Sequence, residues 1–193
     1  MISASSRHPG APSVLASFSV PTEALQALYQ GDTEHAQELL GPDETLSAPE
    51  AAAFGRMERL RELLPGAANE WSDDGFSTLH LAIFGGQEEA ASLLVEHGAD
   101  VEALSRHETI VVRPLHTAAF VHSPALAKIL LDAGADPNGR EDNGFTALHS
   151  AAQNGDVELV RLLLSRGADA SLTTDDGKRP ADFATGEVAA LLG

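Results

Sequence analysis

Histidine and carboxylate side chains are the residues of this sequence best suited to chemistry. The chain has eight histidines, with 29 Asp and Glu residues against 12 Lys and Arg residues. Three of the histidines, His80, His116 and His149, each follow a leucine in a segment that recurs along the chain. A metal site needs ligands that converge on one point. Equivalent positions of a repeat are instead spaced along the array, so we expect a structural role for these three.

The remaining candidates for catalysis or metal binding are incomplete. His107 and His122 lie outside the recurring segment, and a metal or small-ligand site near them stays an alternative, although no third ligand is apparent. The segment DPNGREDNG at 136–144 resembles a calcium loop, but Ala147 stands where a bidentate Glu is needed. Phosphate-binding, zinc-protease and serine-hydrolase motifs are missing. We therefore expect no enzymatic activity, no cofactor and no metal.

The overall composition excludes further classes of function. The chain has no cysteine, which excludes disulfides and thiolate metal sites. Its net charge of -17 would repel phosphate backbones and anionic membranes, so we expect neither nucleic-acid nor membrane binding. No apolar stretch approaches the roughly 18 residues of a membrane span, and none of signal-peptide length follows the start. The sequence predicts a flexible arm over 1–20 and a cytoplasmic protein.

The recurring segment defines one structural unit. Leu79, Leu115 and Leu148 mark its copies at intervals of 36 and 33 residues. In the copy at 145–170, Thr146 is placed to cap one short helix, and the next helix is predicted to begin after an aspartate. Both helices are too short to be stable alone, so each must bury its apolar stripe against neighbouring copies.

The repeats carry a recognisable signature. The segments STLHLA, RPLHTA and TALHSA each precede a Gly-Ala-Asp triplet at a fixed offset. This pattern resembles the ankyrin repeat. The resemblance implies an all-α solenoid, curved and elongated, in which helix–turn–helix repeats are joined by β-hairpin fingers. It also implies that the three histidines bond neighbouring backbone and tie the finger to the helix pair. The second helices should end at Gly98, Gly134 and Gly167, in the left-handed conformation.

The resemblance covers residues 21–193 with decreasing fidelity toward the ends. Ser47 and Glu50 have capping-box spacing in one degenerate N-terminal copy. At the other end Asp182 replaces the histidine, and the second helix is cut short. The predicted units are degenerate repeats at about 21–45 and 46–70, full repeats at about 72–107, 108–140 and 141–173, and a C-terminal cap at 174–193.

By the same resemblance, the chain is a protein–protein interaction module that binds through a concave face of fingers and first helices. The positions that the scaffold does not require are candidate partner-binding residues. They are Trp71, Asp73, Asp74, Phe76, Phe84, Thr109, Ile110, Val112, Phe120, Val121, Arg140, Asp142, Asn143, Phe145, Gln153 and Asn154.

Two features strengthen that set. Phe84 and Phe120 share one repeat position and are expected to be neighbours, with Phe76 and Phe145 nearby on the same face. The alternative is that these rings pack between adjacent repeats. The finger at 100–114 is three residues longer than its neighbours and contains the strand-like run ETIVV. It either binds a partner or folds back onto the scaffold.

The acidic finger tips suggest the character of the partner. Acidic pairs occur at 73–74, 141–142 and 175–176, so a partner at the tips should be basic around an apolar centre. We expect a monomer when no partner is bound. An acidic inhibitor or immunity-type protein that blocks a basic toxin or a nucleic-acid-binding enzyme is the main rival within the binding class. A regulatory subunit of another enzyme is a third interpretation.

Overall fold

The computed structural model describes residues 22–64 and 66–193, and the arm predicted at 1–20 lies outside them. This part of the chain is an array of paired helices that are six to nine residues long. Three 3-10 turns occur at Asp43–Thr45, Asp142–Gly144 and Pro180–Asp182. The α-helices are α1 (Glu23–Tyr29), α2 (Thr33–Glu38), α3 (Ala48–Ala53), α4 (Met57–Leu63), α5 (Thr78–Phe84), α6 (Glu88–Glu96), α7 (Pro114–Phe120), α8 (Pro124–Asp132), α9 (Ala147–Asn154), α10 (Val157–Ser165) and α11 (Gly186–Leu192).

Local capping explains where these helices begin and end. The Thr146 side chain and His149 form a capping box at the start of α9, and Asp156 accepts a hydrogen bond from the Leu159 amide at the start of α10. The predicted capping box of Ser47 and Glu50 is present at α3. Gly167 follows α10 with φ of +88°, a conformation that glycine adopts without a Cβ penalty. Gly98 and Gly134 also have positive φ.

The core is a continuous layer of alanine and leucine between successive helix pairs. Leu163 is fully buried in it, as are Leu94 and Leu130 in α6 and α8. Alanines fill the contacts between first helices, where Ala118 and Ala151 have no exposed surface. Small side chains let these short helices approach closely, so the array is stabilised by stacking rather than by any one helix.

The first N-terminal pair, α1 and α2, packs on a second, smaller cluster. In it Leu25 and Leu28 of α1 meet Phe54 and Leu81. A Cβ added at Gly85 would lie 1.9 Å from the Ala53 carbonyl oxygen, so α3 and the end of α5 are in direct backbone contact. No helix in the described part of the chain is long and apolar enough to cross a membrane.

The fingers contain less β-structure than expected. Within residues 22–64 and 66–193, β-pairing is limited to two isolated antiparallel bridges, Trp71–Ser77 and Arg140–Thr146. The prediction of a strand at 108–112 is wrong, because this run pairs with the single residue Ser105 rather than with a strand. The Ser105 amide donates to the Val112 carbonyl at 2.9 Å, and the Ser105 hydroxyl makes two further bonds. That hydroxyl donates to the Ile110 carbonyl at 2.5 Å and accepts from the Val112 amide at 3.0 Å.

Candidate functional site

The three repeat histidines join each helix pair to the finger that follows it. His80 Nε2 lies 3.0 Å from the Val112 carbonyl oxygen, His116 Nε2 3.4 Å from that of Phe145, and His149 Nε2 3.1 Å from that of Lys178. A carbonyl only accepts, so in each neutral ring Nε2 carries the proton and Nδ1 is an acceptor. This is the tie between finger and helix pair that the ankyrin resemblance implies.

The Nδ1 atoms distinguish the three copies. His80 Nδ1 lies 2.7 Å from the Ser77 hydroxyl, and His149 Nδ1 accepts from the Thr146 amide at 3.1 Å. His116 Nδ1 is buried and has no hydrogen-bond partner within the described residues, because Arg113 stands where the other copies have a hydroxyl. Burial lowers the pKa of His80 and of His116 to about 4, so both rings are neutral at physiological pH.

On the side of the array that carries the fingers and first helices lies a groove of about 560 Å³, which we call the aromatic groove. It runs from the end of α1 to the end of α9 and is open along one side. Its lining is Tyr29, Phe76, His80, Leu81, Phe84, His107, Ile110, Val112, His116, Thr117, Phe120, Glu141, Ser150, Gln153 and Asn154.

The rings of the aromatic groove form a continuous row. Phe84 and Phe120 are neighbours, as their shared repeat position predicts, and are stacked with their centroids 6.2 Å apart and planes 16° apart. Tyr29 meets Phe84 edge-on at 5.1 Å and Phe76 at 6.1 Å. Phe120 keeps 66% of its surface exposed, and Ile110 on the facing finger keeps 46%. A row of half-buried rings that ends in an exposed one is typical of a binding surface.

The long finger at 100–114 is fixed against its neighbour and forms one wall of the aromatic groove. The Arg106 amide donates to the Gly75 carbonyl at 2.7 Å, and the Arg106 guanidinium lies 3.8 Å from the centre of the Trp71 ring. Phe76 and His107 are 5.4 Å apart, ring to ring. Because Gly75 lacks a side chain, the two fingers approach to a distance at which a Cβ would meet the Arg106 backbone at 2.6 Å.

The carboxyl group of Glu141 faces the same groove. Its Oε2 is buried and has no hydrogen-bond partner within residues 22–64 and 66–193. Burial, and then the neighbouring Asp142 carboxylate, raise the pKa of Glu141 to about 7.

The structure brings together only part of the candidate set. Seven members line the aromatic groove: Phe76, Phe84, Ile110, Val112, Phe120, Gln153 and Asn154. The other nine lie outside its lining: Trp71, Asp73, Asp74, Thr109, Val121, Arg140, Asp142, Asn143 and Phe145.

Several of the nine have structural partners instead. The Phe145 ring lies 5.3 Å from that of Phe183 in the C-terminal cap, so it packs between adjacent units. Asp74 accepts a hydrogen bond from the Tyr29 hydroxyl at 2.7 Å, and Arg140 Nη2 lies 3.3 Å from Asp175. Val121 packs against the core.

The groove also contains residues that the candidate set omitted, among them Tyr29, His107, Glu141 and Ser150. Tyr29 ends α1 as Phe84 ends α5, so a comparison of helix ends is the sequence signal that could have suggested its position, although only its ring contacts establish it. Nothing in the sequence distinguishes Glu141 from the many solvated carboxylates of this chain.

The alternative metal site gains no support from this arrangement. His107 lines the aromatic groove, whereas His122 does not. Across the described residues there is no group of three or more His, Asp or Glu side chains that could hold a metal ion.

A row of short helix pairs joined through fingers, with an open groove on one side, defines a repeat protein. Residues 23–105 and 112–192 match the family model described as Ankyrin repeats (3 copies), which covers most of the chain. The chain therefore belongs to the ankyrin-repeat family.

Individual relatives match shorter stretches. The chain is 35% identical over 98 residues to NF-kappa-B inhibitor alpha of Homo sapiens, an alignment that covers 48% of this chain and 31% of the relative. It is 38% identical over 114 residues to Ankyrin repeat and SOCS box protein 6 of Mus musculus, covering 55% and 26%. It is 43% identical over 74 residues to a putative ankyrin repeat-containing protein of Treponema pallidum, covering 38% and 24%. The aligned region thus spans less than a third of each of these relatives.

Proposed function

We propose that this chain is a protein–protein interaction module without catalysis, which binds its partner through the aromatic groove. The observation that carries the proposal is the stacked pair of half-buried Phe84 and exposed Phe120, in a groove that the exposed Ile110 also lines. Large apolar side chains of this kind lose unfavourable contact with water when a partner covers them, which makes them the usual anchors of an interface.

The fixed walls of the groove favour binding. The backbone bond from Arg106 to Gly75 holds the long finger, and His80 ties Val112 to α5. A surface that is already ordered loses little conformational entropy on association. The family supports the same function, because ankyrin relatives include a protein named as an inhibitor of NF-kappa-B.

Charge supports a second candidate function, in which this chain is an acidic inhibitor that blocks a basic partner. Exposed acids surround the groove at the finger tips, including Asp73 and Asp142, and the net charge is -17. Such a field attracts a cationic partner and is weakened by salt. We also propose a monomeric unbound state, which a large net charge favours, and a cytoplasmic site of action.

The test is capture from a lysate of the source organism with three immobilised proteins. These are the wild type, the groove variant Phe84→Ala/Ile110→Ala/Phe120→Ala, and the control variant Leu39→Ala/Lys128→Ala/Glu158→Ala. The control changes three exposed positions at α2, α8 and α10, the second helices of their pairs. Unfolding midpoints of all three proteins are measured first, to show that each is folded.

The proposal expects a protein that is retained by the wild type and the control and lost by the folded groove variant. Retention by the groove variant at the wild-type level would move the binding surface away from the aromatic groove. Loss with the control variant alone would place it on the second helices.

A further inference from the structure

Glu141 is held in place at the edge of the aromatic groove. Its amide donates to the Phe145 carbonyl at 2.9 Å, and its own carbonyl accepts from the Gly144 amide at 3.1 Å. These bonds fix the backbone of the finger and leave the side chain lining the groove. A buried carboxylate oxygen without a hydrogen bond destabilises the folded chain, so the scaffold itself gives no reason for an acid here.

Within residues 22–64 and 66–193, no Lys or Arg forms an ion pair with this carboxylate. Arg140, next to Glu141 in the chain, is paired with Asp175 at 3.3 Å, and Arg113, whose Nε lies 3.5 Å from the Arg140 carbonyl oxygen, is paired with Glu102 at 2.8 Å. The described residues that line the groove include no Lys or Arg. The aromatic groove therefore combines a partly exposed apolar row with one unpaired acid.

The other titratable groups near this site have defined roles. His80 and His116, below the groove, are neutral because burial depresses their pKa. His107 on the facing finger packs against Phe76, and Asp142 lies next to Glu141 and raises its pKa. An incoming cation would favour the ionised form of Glu141.

We propose that the aromatic groove binds a peptide segment of the partner that carries an apolar side chain with an arginine a few residues away. The apolar side chain covers Phe84 and Phe120, and the guanidinium pairs with the carboxylate of Glu141. Arginine fits better than lysine because its guanidinium is planar, is more weakly hydrated than an ammonium and stacks on aromatic rings such as those that line this groove. This inference rests on the proposed function and specifies the chemistry of the partner.

Defined peptides test it directly. The probes are fluorescein-labelled peptides with one Leu and one Arg separated by zero to three Ser residues, and the same series with citrulline, an uncharged analogue of arginine. Dissociation constants are measured by fluorescence anisotropy at pH 6 and pH 8. The full chain is used as wild type, as Glu141→Gln, and as the control Glu158→Gln, which removes an exposed acid from α10.

At pH 8 we expect at least one spacing to bind the wild type and the control about tenfold more tightly with Arg than with citrulline, the gain from one charge-assisted contact. Glu141→Gln should abolish that preference. With a pKa of about 7, roughly a tenth of Glu141 is ionised at pH 6 and nine tenths at pH 8. The neutral form should bind the Arg peptide only as well as the citrulline peptide, so Arg-peptide affinity for the wild type should rise about fivefold over this range.

Any pH dependence that remains in Glu141→Gln comes from groups other than Glu141 and is subtracted. This variant should unfold at pH 8 at a denaturant concentration no lower than the wild type, because it removes a buried charge. Equal binding of Arg and citrulline peptides, an Arg preference that survives in Glu141→Gln, or binding of no peptide would each overturn the inference.

The two proposals fail in distinguishable ways. If the lysate partner is lost by the groove variant but retained in full by Glu141→Gln, the proposed function stands and this inference is wrong. If both variants retain the partner, both proposals are wrong.

Discussion

Alanine substitutions at His80 and His116 should differ in their effect on stability. The two residues occupy the same position in adjacent interior repeats and are almost fully buried, with 1% and 3% of their surface exposed. The cavity left by the missing ring is therefore closely matched. What differs is hydrogen bonding, so the difference between the two variants isolates the polar contribution.

His80→Ala breaks two good hydrogen bonds, at 2.7 Å to the Ser77 hydroxyl and at 3.0 Å to the Val112 carbonyl. His116→Ala breaks one long bond, at 3.4 Å, and removes a buried Nδ1 that has no partner among the described residues. Each lost bond costs ~1 kcal/mol, and each buried polar group left without a partner adds a further penalty. His80→Ala should therefore lower the free energy of unfolding by about 2 kcal/mol more than His116→Ala does.

The assay is urea unfolding followed by far-ultraviolet circular dichroism at pH 7.5, with Ser77→Ala and the Ser77→Ala/His80→Ala double variant as controls. In the double-mutant cycle, the effect of His80→Ala should fall toward that of His116→Ala once Ser77 is gone. Equal destabilisation by His80→Ala and His116→Ala, with no coupling between Ser77 and His80, would refute this account of the hydrogen bonds made by the repeat histidines.

Two further predictions concern the core and the effect of acid. Leu163→Ala should lower the free energy of unfolding by ~2–5 kcal/mol because Leu163 is fully buried, whereas the exposed Asp142→Ala should be near neutral; equal urea midpoints would show that the repeat register is misassigned. In the folded chain His80 and His116 have a pKa of about 4, below the ordinary value of 6.5. Their neutral rings therefore favour folding above pH 6.5, and this contribution is lost as the pH falls toward 4. The loss is about 3 kcal/mol for each ring. Urea midpoints between pH 7 and pH 4.5 should therefore fall less steeply in His80→Ala than in the wild type, and parallel slopes would contradict these pKa values.

The local architecture was predictable because its causes are local. Thr146 and Asp156 cap helices through bonds to residues three positions away, and Gly167 ends α10 through its own φ. The adjacency of Phe84 and Phe120 also follows from sequence, since equivalent positions of stacked repeats are neighbours.

Features that depend on contacts between units were not predictable. Phe145 has the same finger position as Phe76, yet it packs on Phe183 because the next unit is the cap. The run at 108–112 has a strand-like pattern, but the Ser105 hydroxyl satisfies its backbone instead. Such side-chain–backbone competition leaves no periodic signal.

The binding site illustrates the same limit. Glu141 is unusual only because neighbouring units bury one of its oxygens, and its sequence context matches that of other acidic finger tips. Tyr29 belongs to a degenerate repeat, so its place in the row of rings became evident only from its contacts with Phe76 and Phe84.

The most direct test of the central claim is photocrosslinking from inside the aromatic groove. Phe120 is replaced by p-benzoylphenylalanine, and the full chain is irradiated in a lysate of the source organism. The exposed Glu158 on α10 is replaced in the same way as the control. Our account predicts a discrete crosslinked protein from position 120 that is absent from position 158. Crosslinking to a discrete protein from position 158 alone would show that the aromatic groove is not where this protein binds its partner.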